Sequence, residues 1–337
     1  MRARIGLLLA GLVVANILAW IWAFGLFRAQ PLMLGTALLA WGLGLRHAVD
    51  ADHIAAIDNV TRKLMQEGQR PITVGFWFAI GHSGIIAMAS ISVALTASAL
   101  TRFGAFREIG GTVATLVSAS FLFTIAGMNL VILLSVWRKF AHVRAGGACD
   151  EGDLDMLLGA RGLLSKLFGP MFRLISRTWH MAPLGFLFGL GFDTATEVAI
   201  LGMSASQAAH GLTLARILVL PALFAAGMAL IDTVDGVMML GAYEWAFVKP
   251  VRKLYYNITI TLMSAIVAIV IGGIETLALI GDRFSLTGWP WGLVASLGRN
   301  FNNLGFSIIG LFVACWAISF AVYRWKRFDE IEVSTSP

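Results

Sequence analysis

Eight predominantly apolar stretches constrain this chain more than any other feature, at about 6–27, 32–58, 72–98, 110–136, 182–206, 214–240, 257–281 and 303–323. Each is long enough to cross hydrocarbon as a helix, which takes roughly 20 residues. A lipid-embedded segment must satisfy its own backbone groups, so runs of this length become helices. Charged residues make up 13% of the chain, where a soluble protein carries about 25%. The sequence therefore predicts an all-α polytopic membrane protein with eight transmembrane helices, and one membrane domain over 1–337.

The basic residues orient it. With the N-terminus in the cytoplasm, alternating loops place 18 Lys and Arg inside and 6 outside, and such an excess marks the cytoplasmic side. Both termini are then cytoplasmic. The inside set includes Arg62, Lys63 and Arg70, read as a loop after the second span. Met1-Arg2-Ala3-Arg4 precedes an apolar run to Phe27 that is too long for a signal peptide, so a retained first helix is expected. The longest hydrophilic stretch, about 138–181, is cytoplasmic; apolar residues at helical spacing over 156–175 suggest an interfacial helix. Neither Cys149 nor Cys315 belongs to a CxxC, so no thiolate metal site or disulfide framework is indicated. A net charge of +6 spread over short loops does not point to nucleic acid.

The second span breaks the apolar pattern with Arg46-His47-Ala48-Val49-Asp50-Ala51-Asp52-His53-Ile54. Ionisable groups at membrane depth are costly and mark ion paths or mutual pairs. Imidazole with carboxylate suits a divalent transition metal. In a regular helix His47, Asp50 and His53 follow one side, whereas Asp52 points nearly opposite to Asp50. Either the helix is distorted there or the two carboxylates have separate tasks. Gly42 and Gly44 just upstream make a local break plausible. The competing reading is a structural salt bridge from Arg46 to an aspartate, with hydrogen-bonded histidines. Arg46 cannot ligate a cation and is expected to neutralise a carboxylate.

Further candidates lie in other spans. His82, beside Ser83, is assigned to the metal site with His47, Asp50, Asp52 and His53. Asp193 and Glu197 share a face of the fifth span, with Thr194 and Thr196 offering hydroxyls. In the sixth span Met228 and Asp232 are four apart, while Asp235, three further on, lies nearer the cytoplasmic end and is expected to reach water. Apart from Asp235, these residues, with Arg46 and Ser83, are expected to line or gate the path. Asn129, Thr124 and Glu275 read as structural.

The halves repeat. Gly42-Leu43-Gly44 before the first acidic cluster parallels Gly189-Leu190-Gly191 before the second, and Gly81 parallels Gly227. Gly44 to Gly81 is 37 positions and Gly191 to Gly227 is 36. Three spans per unit invert the second unit relative to the first, the plan of secondary transporters with a midplane site. Spans seven and eight are additions. Within the spans, eight acids face one base, Arg46. That much buried negative charge requires cations, and ligands must shed protons to bind metal.

At these residues the chain resembles the nickel/cobalt transporter (NiCoT) family of secondary permeases. RHAVDADHI at 46–54, GHS at 81–83, LGFDTATE at 190–197 and GMALID at 227–232 match its signatures in order; Gly84 stands where the family often has a second serine. The resemblance implies high-affinity uptake of Ni²⁺ or Co²⁺ across the bacterial cytoplasmic (inner) membrane, with His47, Asp50, Asp52 and His53 handling the metal. There is no GxxxxGK[ST] motif, so neither ATP nor an ATPase subunit is implied, and no cofactor beyond the transported ion. The membrane potential supplies about 4.6 kcal/mol per 100 mV for a divalent ion. Two alternatives are weighed. A nickel/cobalt exporter of a related group would carry a His-rich cytoplasmic loop, but 138–181 holds only His142 and His180. A metalloenzyme would need a motif such as HExxH, which does not occur.

Overall fold

The computed structural model describes residues 1–95, 99–144, 175–191, 195–209, 213–246 and 250–325. Most of the loop at 138–181, including the helix expected at 156–175, lies outside these residues, as does the tail after Arg327. The described residues form α1 (Arg2–Phe27), α2 (Pro31–His47), α3 (Ala51–Gln66), α4 (Val74–Leu95) and α5 (Ala99–Arg144). Then come α6 (Met181–Phe188), α7 (Ala195–Ala209), α8 (Leu214–Ala246), α9 (Pro250–Arg283), α10 (Trp289–Arg299) and α11 (Phe301–Trp325). Short 3₁₀ turns at Thr178–His180 and Gly189–Gly191 flank α6, and no strand occurs among the described residues.

The chain is a multi-pass membrane protein. Five described helices are long and apolar enough to cross a bilayer, and α2 with α3 passes the same test as a pair bent by 51°. Pro31 starts α2, where a missing N–H costs nothing. The short helix α10, which periodicity did not reveal, follows Gly288 at φ 110 and has Pro290 in its first turn.

The core forms around α3, which is buried on every side from His53 to Lys63 although its sequence is not uniformly apolar. Ile57, Val60 and Leu64 pack against Val74 and Phe78 of α4; Ile54 and Ala55 pack against Leu122, Ala268 and Ile308. A separate core joins α1, α2, α4, α7 and α8 through Leu12, Ala37, Ile86, Ile200 and Leu223. Asn16 ties three of these helices together, donating to Ala226 O at 3.0 Å while accepting from Trp41 Nε1 at 2.8 Å.

The structure extends the second apolar stretch beyond its expected edge. Arg62 and Lys63, read from the sequence as loop residues, lie on α3, and Arg62 is among the largest fully buried side chains. Arg62 Nη1 donates to Thr261 Oγ1 at 2.9 Å, and Asp58 accepts from Ser264 Oγ at 2.7 Å and from the Tyr243 hydroxyl. Asn129 donates to Asn59 at 2.8 Å on the same helix. Arg46 is therefore not the only base at depth; this network lets a guanidinium be buried, since buried charges persist where polar partners satisfy them.

Several helix contacts are exceptionally tight. A Cβ on Gly44 would strike the Phe224 backbone, and one on Gly227 would lie 2.9 Å from Trp41 O. In the same way Gly185 meets the Phe78 carbonyl and Gly81 meets the Ala182 backbone. Small residues let membrane helices approach to backbone contact. α2 thus crosses α8 as α6 crosses α4.

Candidate metal centre

The bend between α2 and α3 creates the site. Val49 N donates to Arg46 O and Asp50 N to His47 O, at 3.1 and 2.9 Å, tightening the end of α2 into i→i+3 turns. Asp50 then turns extended, at φ −66 and ψ 146, before α3 begins. In a straight helix His47 and His53 would be separated by about 9 Å of rise. Across the bend their ring centroids are 4.7 Å apart. Asp50 precedes α3 but makes no cap bond to it; its carboxylate instead accepts from His47 Nδ1 at 2.8 Å.

His82 of α4 completes a buried triad. One ring nitrogen from each of His47, His53 and His82 lies within 4.8 Å of the others. His47 Nε2 and His82 Nε2 are 2.9 Å apart, and Glu197 Oε1 of α7 lies 3.0 Å from His82 Nε2 and 3.9 Å from His47 Nε2. His53 Nδ1 is 3.2 Å from Asp232 Oδ1 of α8, and His53 Nε2 has no hydrogen-bond partner. His47 and His53 therefore share one arrangement, with Nδ1–H held by a carboxylate and the Nε2 lone pair left for the centre. Such backing fixes the imidazole tautomer and raises its basicity toward a metal. Thr196 Oγ1 stands 3.2 Å from His47 Nδ1 on the same side.

All these groups are almost completely excluded from solvent. Two phenylalanines wall the triad: Phe78 sits edge-on to His53 at 4.8 Å, and Phe224 lies 5.5 Å from His47. Three imidazoles and a carboxylate form a nitrogen-rich, borderline donor set matched to late first-row divalent ions.

The sequence candidates divide as follows. His47, His53 and His82 converge, with Asp50 and Asp232 behind them and Thr196 and Glu197 at their edge. Glu197, expected on the path, reaches the donor cluster itself. Asp52 stays outside the convergent triad; its Oδ1 is buried without a hydrogen-bond partner. Arg46 is exposed on α2. Ser83 Oγ donates to Ala79 O of its own helix at 2.6 Å, and Met228 is buried in apolar packing. Asp193 and Thr194 lie outside the described residues. Asp235 has a buried oxygen without a partner, Glu275 accepts from Ser118 at 2.9 Å, and Thr124 donates to Ser120 O at 2.7 Å. Phe78 and Phe224 were not among the candidates, because apolar rings inside apolar spans carry no chemical signal of their own.

Comparison with known proteins identifies the family. Residues 33–322 match the NicO family, described as high-affinity nickel-transport protein. The chain is 59% identical to the high-affinity nickel transport protein of Cupriavidus necator, over 98% of this chain and 95% of that one. It is 54% identical to the hydrogenase nickel incorporation protein HupN of Bradyrhizobium diazoefficiens, over 94% and 83%. It is also 39% identical to the cobalt transport protein NhlF of Rhodococcus rhodochrous, over 94% and 91%. No solved structure matches the chain. With a family match over residues 33–322 and a relative 59% identical over nearly its whole length, the chain belongs to the NicO family of high-affinity nickel-transport proteins.

Proposed function

We propose that this protein takes up Ni²⁺, with Co²⁺ as a second substrate, by alternating access driven by the membrane potential. The observation that carries the reading is the convergence of His47 Nε2, His82 Nε2 and Glu197 Oε1, with His47 and His53 each backed by a carboxylate. His47, His53 and His82 bind the ion, and Glu197 supplies a carboxylate oxygen. Asp50 and Asp232 orient the imidazoles. Asp52, Arg46, Ser83, Asp193, Thr194, Thr196 and Met228 line or tune the route. The family resemblance favours the bacterial inner membrane, and the distribution of basic residues favours cytoplasmic termini.

In this reading eight crossings are made. α2–α3 and α6–α7 are the two broken ones, and α11 is the last. The glycine contacts support an inverted repeat. Gly44 on Phe224 corresponds to Gly185 on Phe78, and Trp41 on Gly227 to Ala182 on Gly81. One offset relates 41 to 182 and 44 to 185; a second relates 78 to 224 and 81 to 227. The same offset carries His47, the last residue of α2, onto Phe188, the last of α6. By these contacts Gly185, rather than Gly191, is the counterpart of Gly44.

Uptake of radioactive nickel by cells producing the protein, with unlabelled cobalt, zinc and manganese as competitors, tests the proposal. Saturable uptake suppressed by nickel and cobalt is expected. Uptake no greater than in cells lacking the protein would reject it.

A further inference from the structure

Phe78 and Phe224 are both fully buried and both touch triad histidines, yet they occupy different levels of the molecule. α4 and α8 run antiparallel here. Gly75 abuts Asp232 and Thr233, while His82 and Phe224, further along in opposite senses, both reach His47. Residue 78 is then level with about residue 229, and Phe224 lies roughly five residues, or about 7 Å, away along the helix axis. Helical side chains also lean toward the N-terminus of their own helix. The two rings therefore lean in opposite directions, away from each other. Phe224 stands on the His47 side of the triad, and Phe78 on the side of His53 and Asp232.

The backbone on either side matches this disposition. The carbonyl of each phenylalanine rests against a glycine of a broken helix segment, Phe224 on Gly44 and Phe78 on Gly185. Each ring is thus attached to a crossing that moves if its half of the molecule tilts. A glycine in the partner helix lets the phenylalanine backbone ride close without a side chain to jam it.

Resting on the transport reading above, we infer that Phe78 and Phe224 are paired gates of the cation path, Phe224 closing the centre toward the outside and Phe78 toward the cytoplasm. An aromatic ring has no lone pair to hold a hydrated ion and excludes water from the imidazoles while in place. Moving one ring at a time would open the centre to one face at a time.

The test uses Thr196→Cys as a reporter beside His47, in full-length protein lacking Cys149 and Cys315. A charged, impermeant thiol reagent is applied to intact cells for one face and to inverted membrane vesicles for the other. Phe224→Ala is expected to expose the reporter thiol from outside only, and Phe78→Ala from the cytoplasmic face only. A gate otherwise open in about 10% of molecules or fewer gives, once removed, a rise in labelling rate of about tenfold or more. Phe224→Leu and Phe78→Leu give the same sides with smaller rises, and decide the matter if an alanine variant fails to insert. Labelling raised equally from both faces, raised from one shared face by both substitutions, or unchanged in inserted protein overturns the gates. Radioactive nickel uptake by the unsubstituted protein is read separately. Its absence counts against the transport reading and not against the gates.

Discussion

His53 Nδ1 stands 3.2 Å from Asp232 Oδ1, joining the first turn of α3 to the middle of α8 across 179 residues of chain. The contact occupies Nδ1 and leaves Nε2, which is buried without a hydrogen-bond partner, open to a ligand. Asp232→Ala should weaken nickel binding by about 10–100-fold, and Asp232→Asn, which keeps an acceptor, by less. Equilibrium binding of nickel to purified protein measures both. Equal affinity in all three proteins would show that the carboxylate does not orient His53.

The donor nitrogens themselves should be indispensable. His47→Ala, His53→Ala and His82→Ala are each expected to abolish radioactive nickel uptake while the protein still reaches the membrane, as checked by immunoblot of membrane fractions. Normal uptake in all three would reject the centre.

Metal and fold should be linked. Nickel at about 100 times its Kd stabilises a single-site protein by about 2.7 kcal/mol. Detergent-purified protein should therefore melt at a higher temperature with nickel, and a chelator should reverse the shift. His47→Ala should melt alike with and without nickel. A nickel-induced shift of the same size in His47→Ala would place binding elsewhere.

The tight crossings give a contrast between two neighbouring glycines. A methyl group at Gly44 meets the Phe224 backbone, whereas one at Gly42 meets nothing within 4 Å. Gly44→Ala should cost about 1–3 kcal/mol, the usual range for overpacking. Gly42→Ala should be neutral or slightly stabilising, because alanine favours helix. Thermal unfolding followed by fluorescence size-exclusion reads the difference.

Tyr243→Phe removes a donor from the buried Asp58 carboxylate. The expected loss is about 1–3 kcal/mol, the cost of leaving a buried group short of a partner. The nickel-induced melting shift should survive, since Tyr243 does not contact the triad.

Much of the centre was legible because charged groups inside apolar runs stand out. His47, His53, His82 and Asp232 could be named from residue type alone, and helical spacing already raised the possibility of a break between Asp50 and Asp52. Spacing could not give the direction of the bend, nor that Glu197 would stand 3.0 Å from His82 Nε2. The buried Arg62 shows another limit. A guanidinium in sequence looks like a loop residue until Thr261, two hundred positions away, supplies its acceptor. The phenylalanines beside the triad show a third, because burial next to a histidine is a property of the fold and not of the residue.

Val49 lies between α2 and α3, and Gly305 of α11 lies directly against its carbonyl. A peptide oxygen facing hydrocarbon is costly, and a bare α-carbon is the smallest cover available. α11 thus covers the distortion that brings the His47 and His53 rings together. Shortening the chain before Phe301 would strip that cover from a bend some 250 residues upstream, although α11 contributes no donor to the triad.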